Sequence, residues 1–132
     1  MQVRDLPETA EQTLQRVREE NTILKTYLRD LIPRGWEIWQ LVSSRGFVAR
    51  YGVNGHPLYS HLTVTNNFYS IAVEGRLIAR REDGSVDIIH NKPMVCDDLP
   101  SAVEHIEAER IRLEDEVNRE YAATKSPISR VA

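Results

Sequence analysis

The stretch Leu58-Tyr59-Ser60-His61-Leu62-Thr63-Val64-Thr65-Asn66-Asn67 decides the fold. Leu58, Leu62 and Val64 fall on one side of an extended chain, and Tyr59, His61, Thr63 and Thr65 on the other. A period of two with one apolar side is the pattern of a half-buried strand, and Asn66-Asn67 closes it as a turn. Working outward, the same alternation recurs between turn signals at Ser44-Arg45-Gly46, Asn54-Gly55, Glu74-Gly75 and Asp83-Gly84. Strands joined by such tight turns run antiparallel, because a parallel crossover needs about a dozen residues or more. The expected sheet is a six-stranded antiparallel meander with strands at 36–43, 47–53, 58–65, 68–74, 76–81 and 85–90. In the second strand Phe47, Ala49, Tyr51 and Val53 oppose Val48 and Arg50, again one apolar side and one mixed. Helices are expected to cover the apolar side and leave the mixed side open.

The segments flanking the sheet carry a helical period. Pro7, Glu8 and Glu11 suit a first turn, and Pro33 with Gly35 stops the run, giving a helix over 7–32. Within it Leu14, Val17, Asn21, Leu24, Leu28 and Leu31 alternate spacings of three and four. That is the spacing of a heptad seam with Asn21 at an a position, where a buried amide fixes register in a two-stranded pairing. Glu20 and Lys25 would flank such a seam. The same stripe would also serve to pack the helix on its own sheet, since amphipathic helices share this spacing. After the sheet, Asp97-Asp98-Leu99-Pro100 and the Ser101/Glu104 pair open a second helix over 98–122. Residues 123–132, with Ser126-Pro127, read as a flexible tail.

The whole is read as one α+β domain over 1–132, a size that leaves no room for a second core. The chain is 41% hydrophobic and 28% charged, a composition that folds. The start, Met1-Gln2-Val3-Arg4-Asp5, has no apolar run of the secretory kind, and a cytoplasmic protein with no membrane contact is expected. Cys96 is the only cysteine, which excludes an intrachain disulfide and suits a reducing compartment. The net charge of −3 is too small to name a partner. From Arg29 to Lys92 eight basic residues face six acidic ones, whereas from Pro93 onward five face nine.

Few motifs point to chemistry. His61-Leu62-Thr63 has the His-x-Thr form that two-histidine phosphoesterases carry twice, but there is one copy here. His56, His61, His90 and Cys96 include two preferred zinc-ligand types, yet neither a close cysteine pair nor a helical His-x-x-x-His is present. Cys96 precedes two aspartates, whose charge opposes a thiolate, and a helix N-terminus, which favours one, so the two effects conflict. No phosphate-binding glycine loop, nucleophile elbow or dinucleotide fingerprint occurs, so no enzyme activity, metal or cofactor is expected.

Binding is therefore the expected role. The first expectation is a small non-catalytic protein-interaction module, an adaptor, inhibitor or chaperone-like subunit, that forms a homodimer through the Leu14 to Leu31 seam and engages another protein. The second is a nucleic-acid or nucleotide binder using an aromatic and arginine sheet face that includes Arg45, Arg50, Tyr59, His61, Arg80 and Arg81. The third, a phosphoesterase using His61, rests on the single His-x-Thr.

Overall fold

In the computed structural model, which describes residues 7–40 and 46–125, Thr9 rather than Pro7 opens the first helix. Thr9 Oγ1 accepts from Gln12 N at 3.1 Å while Thr9 N donates to Gln12 Oε1 at 3.0 Å, a complete capping box. Helix α1 spans Ala10–Arg29, a short 3-10 turn follows at Ile32–Arg34, and Gly35 at φ 102° turns the chain into the sheet. The sheet contains β1 (Trp36–Gln40), β2 (Gly46–Gly52), β3 (Leu58–Asn66), β4 (Ile71–Arg80) and β5 (Val86–Cys96). The order is β1-β2-β3-β4-β5 with every neighbour antiparallel, a simple meander. Helix α2 spans Leu99–Lys125, capped by Asp98 Oδ1, which accepts from Ser101 N at 2.9 Å.

The strand count is five, not six. Glu74-Gly75, expected as a turn, lies inside β4, where Gly75 pairs with Leu62 on one side and Lys92 on the other. Its glycine instead leaves room for a close approach: a Cβ at Gly75 would meet the Glu109 carboxylate on α2, which would have to shift. The last strand also extends past His90 to Cys96, through Lys92-Pro93. Proline is tolerated because β5 is an edge, paired with β4 alone. Of the remaining expectations, the Ser44-Arg45 turn, residues 41–43 of the first strand and tail residues 126–132 lie outside the described residues, while 123–125 continue α2.

One side of the sheet is covered. Trp36, Phe47, Ala49, Leu62, Val64, Ile71 and Val73 face Ala102, Ile106 and Leu113 of α2, and Leu24, Leu28 and Leu31 of the first helical segment close the same core. Leu58, Leu77 and Val117 form a smaller cluster toward the end of α2. A charged layer borders this core. Glu114 accepts from Arg34 Nη2 at 2.7 Å, Trp36 Nε1 at 2.8 Å and Arg110 Nη1 at 3.2 Å. Burial favours its neutral form, but those donors hold its carboxyl below the usual range. Glu107, bonded to Arg110 and to the Tyr27 hydroxyl, is held down to about 2. Burial together with that bond pushes the Tyr27 phenol up to about 12. No helix among the described residues is long and apolar enough to cross a membrane.

Candidate functional site

Alternation along the strands puts the other set of side chains on a face that neither helix covers. Read across the register, one row is Glu37, Arg50, His61, Arg76 and Asn91, and another is Trp39, Val48, Thr63, Glu74 and Pro93. Tyr59 sits one step along β3 beside Gly52 and Ile78. A Cβ at Gly52 would come within 2.9 Å of Tyr59 Cβ, so glycine there is what lets the tyrosine lie against β2.

Tyr59 is the hub of this face. The Arg50 guanidinium lies 4.5 Å from its ring centre and that of Arg80 5.5 Å, both within cation–π range. His61 packs against Tyr59 at 5.4 Å and edge-on against Trp39 at 6.3 Å. Burial, then the charges of Arg50 and Arg76, lowers the His61 pKa from its ordinary value. Its ring is therefore neutral at neutral pH.

Beyond Tyr59 the face ends in an open cleft of about 710 Å³, walled by the β2–β3 loop, Gly52 to Pro57, and by Arg50, Arg80 and Arg81. Four of the six residues expected at a ligand site, Arg50, Tyr59, Arg80 and Arg81, thus line one cleft, and His61 stands next to Tyr59 outside it. Arg45 lies outside the described residues. Arg81 is held by Asp87 through two 2.6 Å bonds, whereas among the described residues Arg50 and Arg80 form no ion pair. The loop residues Asn54, Gly55 and His56 were not expected at a site; the Asn-Gly turn signal that placed the loop says nothing of what the loop encloses.

The opposite margin of the sheet is apolar. Val86, Ile88, Ile89, Met94 and Val95 of β5 are between 42% and 66% exposed, and only Cys96 in this strand is buried. A register shift opposite Leu77/Ile78 bulges the strand near Ile89. Asp87 and Lys92 project on the same side of β5, since they pair with Ala79 and Gly75 on the helix-facing side of β4.

The seam residues have a different placement. Val17, Leu24, Leu28 and Leu31 are buried within the single chain and Leu14 is 47% exposed. Asn21 Oδ1 accepts from Asn66 Nδ2 at 3.2 Å, and Glu20 accepts from the same amide at 3.1 Å. Four of the six stripe residues are thus buried within the single chain, and Leu24, Leu28 and Leu31 join the core formed by the sheet and α2.

The metal-type residues are dispersed. His61 is on the open face, His90 Nε2 lies 2.8 Å from Glu116 Oε2 beside α2, and His56 packs edge-on against Tyr121 at 5.7 Å. Among the described residues no group of three or more His, Cys, Asp or Glu is arranged to hold a metal ion. Cys96 lines a groove of about 380 Å³ with His105 and Asp97. Burial, Asp98 and Asp97 push its thiol up, so it stays protonated.

The chain matches no family model, no curated protein and no solved structure.

Proposed function

We propose that the chain is a non-catalytic protein-interaction module, of the adaptor, inhibitor or chaperone-like kind, that self-associates along β5. The observation that supports this is the apolar margin: five large apolar side chains stand out from an eleven-residue edge strand. A strand left to water is ordinarily polar on its open positions, and exposed apolar edges are where chains pair. Lys92, Pro93 and the bulge restrict that pairing to a register that tolerates them.

A second copy is the partner the apolar edge favours. Two β5 strands paired antiparallel about a two-fold axis between Ile89 and His90 would bring Ile88 and Ile89 of both copies into one new seam. Pairing through α1 would have only Leu14 and Ile23 to use as exposed large apolar groups of that helix. The dimer then presents two open sheet faces, a bivalent arrangement for a further protein partner.

Light scattering over a dilution series tests the reading. The expected result is a dimer that becomes monomeric in Ile88→Asp with Val95→Asp, with the circular dichroism spectrum unchanged. A wild-type monomer throughout, or a dimer indifferent to both substitutions and broken by Leu14→Glu, removes β5 as the interface.

A further inference from the structure

We propose that the cleft beside Tyr59 binds a small phosphate monoester whose carbon skeleton carries hydroxyl groups, the chemistry shared by sugar phosphates and nucleoside monophosphates. This goes beyond self-association, which uses the other margin of the sheet. The cleft volume of about 710 Å³ lies within the range that encloses small ligands.

The chemistry of the walls selects the ligand. Arg50 on β2 and Arg80 on β4 reach the Tyr59 ring from the two strands that flank β3 and carry no ion-pair partner among the described residues. Two guanidinium groups that line one cleft and are engaged in no ion pair match an anion that offers several oxygens, as phosphate does. Arg81 is neutralised by Asp87 and contributes shape rather than free charge. Glu37 and Glu82 line the same cleft. A carboxylate accepts hydrogen bonds from hydroxyls and repels a bare anion, so the walls favour an ester with hydroxyls over inorganic phosphate.

The site is held in shape without ligand. Arg80 N donates to Pro57 O at 2.9 Å, joining the end of β4 to the loop. His56 N donates to Val53 O at 2.9 Å, and Leu58 N to His56 Nδ1 at 3.2 Å. Tyr121 of α2 braces the His56 ring from outside the cleft. Gly55, at φ 84°, has open space where a Cβ would stand. A wall already fixed loses little entropy when a ligand arrives.

The test is calorimetric titration of the full chain with ribose 5-phosphate, adenosine 5′-monophosphate, adenosine and inorganic phosphate at low salt. The expected result is binding of the two esters, weakened by added salt, with adenosine and inorganic phosphate at least about tenfold weaker. Stronger binding of the nucleotide than of ribose 5-phosphate assigns the base a place in the cleft, and equal binding assigns a sugar phosphate; both support the proposal. Arg50→Gln and Arg80→Gln are each expected to weaken the esters about tenfold or more, and Arg81→Gln less than about threefold. Because both arginines pack on Tyr59, amide hydrogen exchange on the unsubstituted chain gives an independent reading, with ester protecting residues 52–57 and 80–82. No ester binding up to about 10 mM, adenosine or inorganic phosphate binding as tightly as the esters, or protection confined to other segments overturns the proposal.

Discussion

Trp36 Nε1 donates a 2.8 Å hydrogen bond to Glu114 Oε2, fastening the first strand to the last helix across 78 positions of sequence. Glu114 is nearly buried and also receives Arg34 and Arg110, so one carboxylate satisfies donors from three segments. Removing this acceptor leaves the buried Trp36 N–H without a partner, which costs more than the bond itself contributes, whereas Arg34 is half exposed and Arg110 keeps Glu107. Glu114→Ala is expected to lower unfolding stability by about 2–4 kcal/mol in urea titrations. Trp36→Phe, which loses only the N–H and part of the ring, should lose about 1–2 kcal/mol. A Glu114→Ala variant as stable as the parent would mean that water replaces the carboxylate at no loss.

The α1 stripe makes a graded prediction. Leu24 is fully buried in the single chain and Leu14 is about half exposed. Leu24→Ala should therefore destabilise by about 2–5 kcal/mol at any protein concentration, and Leu14→Ala by less than about 1 kcal/mol. If the loss in Leu24→Ala vanished on dilution, the stripe would be an interface between chains after all.

Two glycines should respond to alanine for opposite reasons. At Gly75 the new Cβ meets the Glu109 carboxylate, which is buried and bonded to Arg112, so Gly75→Ala should cost about 1–3 kcal/mol through strain in β4 and α2. At Gly55 space is open but φ is 84°, so the loss there, about 1 kcal/mol, is conformational and local to the loop. Chemical shift changes reaching α2 in Gly75→Ala and confined to the loop in Gly55→Ala would distinguish them.

His61 predicts a dependence on pH. Its folded pKa lies below the ordinary 6.5, so as pH falls the unfolded chain takes up the proton first. The stability associated with the neutral ring is fully present above about pH 6.5 and is lost progressively as the pH drops toward the folded value. His61→Gln should flatten this part of the stability profile below about pH 7. A parent profile with the same slope as the variant would mean that the ring titrates alike in both states.

Much of the architecture was legible because it follows from local rules. The alternation at Leu58 to Thr65, the Asn-Gly and Asp-Gly turns and the Asp98 cap are each determined by a few neighbouring residues, and all reappear in place. Among the described residues the misplaced turn is Glu74-Gly75, whose glycine lies against Glu109, a residue far along the chain. The last strand runs past its expected end at His90 to Cys96, and Pro93 is accommodated there because the strand is an edge.

The sequence by itself determined the order of helix, antiparallel sheet and helix, the apolar sides of the second and third strands, and that Arg50, Tyr59 and His61 lie on the other side. Periodicity and turn chemistry are properties of adjacent residues, and they suffice for that. Only the tertiary structure decided that the Leu14 to Leu31 stripe is largely buried in its own chain, and that Asn21 meets Asn66. It alone also brought Arg50, Tyr59 and Arg80 to one cleft and left β5 as an apolar edge. Those outcomes depend on which elements come to lie side by side, and that is set by burial summed over the whole chain.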